Sequence, residues 1–136
     1  GGDVPERNTY PIVKDFLKEK FDCFHVAGPT GTKYGAIDVV GIRQSAGRYG
    51  GNAEVIAIEV KDSGSRFLNS AGQALGYSVM ADRCYLALAG PMGDSAPLES
   101  EFAAQLSIGL IRVGPGHTCE IILSSPQHRL LCRSGN

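Results

Sequence analysis

The chain has 136 residues, 43% of them hydrophobic and 20% charged, with a formal net charge of −1. That length and apolar content give one compact domain with a real core, spanning residues 1–136, and exclude a disordered or low-complexity chain. The near-neutral balance argues against a generally basic nucleic-acid coater while leaving room for a local patch, and no apolar run approaches the roughly 20 residues of a membrane span.

Gly1-Gly2, with no Met before them, read as a cloning remnant or the edge of an excised domain. The stretch TYPIVKDFLKEKF, from Thr9, places Ile12, Val13, Phe16, Leu17 and Phe21 at helical spacing, with Lys14, Asp15, Lys18 and Glu19 outward. This first helix has a possible start one turn earlier, near Asp3-Val4-Pro5-Glu6, because Asp caps well and Pro suits an early helical position. Pro11 is expected to kink it.

CFHVAG then reads as a short strand and GPTGTKYG as a turn-rich loop. AIDVVGIR and AEVIAIEVKD, joined by the Gly-rich QSAGRYGGN, predict an antiparallel hairpin. NSAGQALGYSVMA carries Ala71, Leu75, Val79 and Met80 at helical spacing, and RCYLALAG is an apolar, buried strand. LESEFAAQLSI is a further helix, and GLIRVG and CEIILSS around PGH form a terminal hairpin. The tail, 126–136, has no clear pattern. The order αβββαβαββ implies an α/β fold, a mixed sheet flanked by helices.

Two of these strands carry charge where apolar residues would suffice. On AEVIAIEVKD, Ile56, Ile58 and Val60 share one face, while Ala57, Glu59 and Lys61 share the other. On AIDVVGIR, Asp38 shares a face with Val40 and Ile42, and Ile37, Val39 and Gly41 take the opposite one. If the two strands pair, Asp38 approaches Glu59 and Lys61. Facing carboxylates repel, and a hard divalent cation such as Mg2+ resolves the conflict. An adjacent ammonium can then orient a water or stabilise charge developing on phosphorus.

Asp38, followed 21 residues later by Glu59-Val60-Lys61 in VIAIEVK, resembles the D…(D/E)xK signature of the PD-(D/E)XK nuclease superfamily. The resemblance covers residues 6–89, about two thirds of the chain, and implies a restriction-endonuclease-like core. It further implies that Asp38 and Glu59 bind Mg2+, with Mn2+ able to substitute, and that Lys61 assists phosphodiester hydrolysis. Members often add a glutamate from the first helix, which Glu6 matches better than Glu19. QALGY is similar to the paired Gln and Tyr of several subgroups, which puts Gln73 and Tyr77 beside the catalytic set, four residues apart and so on one helix face. Ile37 stands where the name-giving motif has proline.

Each residue also has a plainer use. Glu59 and Lys61 could be a surface ion pair, Asp38 a cap for backbone amides, Gln73 an exposed helical residue, Tyr77 a packing residue, and Glu6 a solvated first-turn acid. Lys33, Ser63, Ser65 and Arg66 lie in loops able to meet a nucleic-acid phosphate, or are ordinary polar loop residues. GPTGTKYG lacks phosphate-loop spacing. Cys23 with His25 and His117 with Cys119 lack the spacing of a zinc finger or ribbon, and the four cysteines read as reduced thiols of a cytoplasmic protein. His25, His117 and His128 have no nucleophilic-triad pattern.

The expectation is a metal-dependent nuclease cutting phosphodiester bonds, in DNA before RNA, as a homodimer or within a larger multidomain protein. The alternatives are a catalytically inactive module of the same fold that binds nucleic acid or a protein partner, and a plain structural domain.

Overall fold

Ile56, Ile58 and Val60 are fully buried on one face of a ten-residue strand, and the rest of the chain is arranged around that strand. The structure is a computed structural model that describes residues 6–33, 35–45, 52–91 and 96–128, the side chains of Glu6 and Arg7 excepted. Gly1-Gly2, the Glu6 carboxylate, Cys132 and the tail beyond His128 lie outside the described residues.

In chain order the elements are α1 (Glu6–Lys20), β1 (His25–Ala27), β2 (Thr30–Thr32), β3 (Gly35–Ile37), β4 (Val39–Gln44) and β5 (Ala53–Asp62). There follow α2 (Phe67–Gly76), a 3-10 turn (Tyr77–Val79), β6 (Arg83–Ala89), α3 (Ala96–Leu106), β7 (Gly109–Val113) and β8 (Cys119–Leu123). Six strands form one mixed sheet in the order β1-β4-β5-β6-β7-β8. β5, β6 and β7 run parallel, and the flanking pairs are antiparallel. The parallel pairs need long crossovers, which α2 and α3 supply.

The sheet is covered on both faces. Val13, Phe16 and Leu17 of α1, with Phe21 just after it, pack on Val39, Ile56, Ile58 and Val60. On the other face, Ala71 and Ala74 of α2 and Ala103 of α3 meet Ala57, Leu86 and Leu110. Small residues on α2 let the helix lie close to the strands. Gly41 serves the same end beneath α1: a Cβ there would come within 2.7 Å of Cys23 Sγ and 3.0 Å of Leu17 Cδ1. Pro11 is exposed, and α1 runs through it from Glu6. No helix among the described residues is long and apolar enough to cross a membrane.

Three local expectations are corrected. GPTGTKYG is not merely a loop, because Thr30–Thr32 pairs antiparallel with Gly35–Ile37 as a small separate hairpin. AIDVVGIR is not one strand: it breaks at Asp38, so β3 leaves the main sheet and β4 begins at Val39. Ile37 and Val39 consequently do not share a face. Ile37 packs on the α2 and α3 side with Ala57, whereas Val39 packs under α1. Finally, the helix expected to run to Met80 ends at Gly76 and tightens into the 3-10 turn at Tyr77.

Candidate active site

Alternation along β5 sends Glu59 and Lys61 to the face opposite Ile58 and Val60. The β4–β5 register, in which Val39 faces Ile58 and Val40 faces Ala57, brings Asp38 opposite Glu59 one step further along. Residues directly opposed in an antiparallel pair lie within side-chain reach. The break takes the Asp38 backbone out of the ladder, and its Oδ2 accepts a 2.9 Å hydrogen bond from the Val60 amide instead. Asp38 does cap a backbone amide, while standing beside Glu59.

Glu59 is only 3% exposed, so it is no surface ion-pair residue. Its Oε1 accepts the hydroxyl of Tyr77, and its Oε2 lies 3.5 Å from Lys61 Nζ. Burial raises the Glu59 pKa above its ordinary value; the Tyr77 bond and the Lys61 ammonium pull it down, while the charge of Asp38 and direct contact with that carboxyl push it up. Tyr77, half-buried, has its own pKa raised by burial and then by Glu59. The Tyr77 oxygen also lies 3.2 Å from the Ala36 carbonyl, which ties the β2–β3 hairpin to the site.

The 3-10 turn explains why Tyr77 reaches inward while Gln73, on α2, remains exposed. Gln73 instead lines an open groove of about 810 Å3 beside α2, shared with Lys61, Arg66 and Asn69. Ser65 borders the same groove. Ser63 does not: its amide donates to the Ala89 carbonyl, and it lines a separate small cavity with Gly90 and Arg112. Lys33 is exposed at the turn of the β2–β3 hairpin. Structure thus gathers Asp38, Glu59, Lys61 and Tyr77 at one point, with Gln73 and Arg66 along the adjoining groove.

Gly28 belongs to this site and was not anticipated. With φ at +145°, a Cβ on it would fall 2.1 Å from the Asp38 carbonyl oxygen and 2.9 Å from Val39 Cα. Only glycine lets the chain press against the backbone that carries Asp38. The G-P pair at 28–29 was a visible turn signal, but its target is tertiary and no local pattern names it.

Two carboxylates with one raised pKa form a donor set that suits a hard dication held partly by water and phosphate. Among the described residues no group of three or more His, Cys, Asp and Glu side chains could hold a metal ion, so Asp38 and Glu59 are the ligands available there. The described cysteines are free: Cys23 and Cys84 are buried and Cys119 half-buried. Burial pushes their thiols to about 11, 12 and 11, respectively.

No family model matches the chain, and no curated protein matches it. Among solved structures, the chain is similar to SfsA of Pyrococcus furiosus in complex with Ca2+, at 11% identity and a TM-score of 0.41. The match covers 85% of this chain and 59% of that one, so the chain spans about three fifths of the length of the structure it matches. A superposition this loose fixes no residue role.

Proposed function

We propose that the chain is a metal-dependent nuclease of the PD-(D/E)XK kind, hydrolysing phosphodiester bonds in nucleic acid, DNA before RNA. The observation that carries this reading is the contact between the carboxyl of Asp38, just ahead of β4, and that of Glu59 on β5, with Lys61 3.5 Å from Glu59. Two acids from neighbouring strands, one of them buried, are costly to keep ionised together unless a cation joins them. Asp38 and Glu59 would hold Mg2+ or Mn2+, which supplies Lewis-acid charge at the scissile phosphate.

The chain's own groups do the rest. The Val60 amide fixes Asp38, and the Tyr77 hydroxyl fixes Glu59. Both carboxylates are therefore set before substrate arrives, the preorganisation that electrostatic catalysis needs. Lys61 keeps its ammonium at the mouth of the site, where it orients the attacking water and meets charge growing on the phosphate oxygens. Arg66 and Gln73 steady the substrate along the groove.

The test is a Mn2+ titration followed by calorimetry, run beside Asp38→Asn, together with cleavage of plasmid and single-stranded DNA in Mg2+. Wild type is expected to bind the ion and cut; Asp38→Asn loses the binding heat, and Lys61→Ala slows cutting by about 10²–10³-fold. Cleavage that survives chelation, or is unchanged in Lys61→Ala, would remove the mechanism.

A further inference from the structure

The groove beside the acid pair has a chemistry of its own. Among the described residues, the two ionised side chains that line it, Lys61 and Arg66, are both cationic, in a chain whose acids slightly outnumber its bases. Ser65, Asn69 and Gln73 add neutral donors and acceptors to the same lining. Leu68 also lines the groove and is 61% exposed, although the residue before it, Phe67, packs inward on Phe102 of α3 with ring centres 6.4 Å apart.

Four residues after Leu68, and so on the same face of α2, comes Gly72. A Cβ there would meet nothing within 4 Å. Glycine inside a helix costs about 1 kcal/mol relative to alanine, and no packing among the described residues calls for it here. The lining thus combines an apolar side chain and bare backbone on one helix face with amides and two cations.

We propose that this groove binds an unpaired stretch of nucleic acid, a nucleotide or two at a time, in preference to duplex. The inference rests on the nuclease reading of Asp38, Glu59 and Lys61. A volume of about 810 Å3 gives room for a nucleotide or two beside the helix. A duplex binder making roughly 6–10 phosphate contacts spreads its cations along the backbone, whereas among the described residues two cations line this groove. A duplex also hides the faces of its bases. An unpaired strand offers them, together with free base edges. Leu68 then packs on a base face, Gly72 leaves room for the ring beside the helix, Asn69 and Gln73 meet base edges, and Lys61 and Arg66 take neighbouring phosphates.

Fluorescence anisotropy of a short labelled strand tests this, as DNA and as RNA, against the same DNA sequence annealed as a duplex. EDTA is present throughout so that nothing is cut. The unpaired strand is expected to bind at least tenfold tighter than duplex. Its affinity should fall with salt at a slope of roughly −1.4, two phosphates at about 0.7 each. The DNA and RNA arms show which sugar the groove prefers.

Leu68→Ala should weaken strand binding at least threefold. Gly72→Leu should abolish it while raising the melting temperature, because leucine is the better helix former and its side chain enters open space. Duplex binding as tight as strand binding, or full binding by a folded Gly72→Leu protein, overturns the proposal. Calorimetry with Mn2+ on the same preparation separates the two readings. A protein that takes up the ion but cuts duplex and single strands alike keeps the nuclease assignment and loses this one. A protein that takes up no ion loses the nuclease assignment, while the anisotropy still decides what the groove binds.

Discussion

Glu59 is the residue on which the site turns. Its pKa is raised above an ordinary 4.5, chiefly by burial and with the help of Asp38. The folded state therefore holds this proton more tightly than the unfolded chain does. The resulting stability is complete below about pH 4.5 and is lost as pH climbs through the folded pKa. Glu59→Gln, which keeps the neutral shape, should accordingly melt above wild type at pH 8 in the absence of divalent ions, and with it near pH 4. Adding Mg2+ should raise the wild-type melting temperature alone. Equal pH profiles for the two proteins would contradict this. Gly28→Ala should move Asp38 through the 2.1 Å clash with its carbonyl, lowering ion affinity at least tenfold in calorimetry, along with a stability loss of about 1–3 kcal/mol. Glu59 and Lys61 were legible as a same-face pair because alternation holds along β5, whereas Asp38 sits at a break that alternation did not foresee. The partner of Tyr77 was not, because it depends on where α2 gives way to a tighter turn, and Gly28 was hidden because its close approach is to a residue ten positions away.

Among the elements, β5 carries two buried glutamates with opposite electrostatics. Glu54, at its start, pairs with Arg43 Nη2 at 2.7 Å and Arg83 Nε at 3.0 Å. Burial alone would raise its pKa, but the hydrogen bonds from both arginines reverse that and hold it below the usual carboxylate range. Such a group adds stability above the unfolded pKa and gives it up as pH falls through the folded one. Glu54→Gln should thus cost about 2–3 kcal/mol at pH 7 in urea unfolding, and much less at pH 3. An undiminished deficit at pH 3 would place the effect in packing instead. Periodicity located nearly every strand and helix of the main sheet, since those segments bury one continuous face. It failed at AIDVVGIR, where the break falls on a polar residue inside an apolar run, and at GPTGTKYG, where a hairpin of small residues leaves no hydrophobic signature.

For the whole molecule, α1 on one side and α2 with α3 on the other seal the sheet into two apolar clusters. Leu17, wholly buried under α1, reports on the first: Leu17→Ala should cost about 2–5 kcal/mol without altering ion uptake, because it lies on the face away from Glu59. Layering of this kind was readable from element order, as βαβ crossovers demand helices over a parallel sheet. The groove beside α2 was not, because its shape arises only once Leu68 and Gly72 are set next to Lys61 in space.

The parallel run of β5, β6 and β7 has a practical corollary. All three strands finish at one rim, so the connections leaving Asp62, Ala89 and Val113 start from the same side of the molecule. The first of these connections is tied back to the sheet, the Ser63 amide donating to the Ala89 carbonyl and the Ser65 amide to the Asp62 carbonyl. On the proposed nuclease reading, replacing Arg66, exposed at that rim, would change what the groove meets while leaving Asp38 and Glu59 in place.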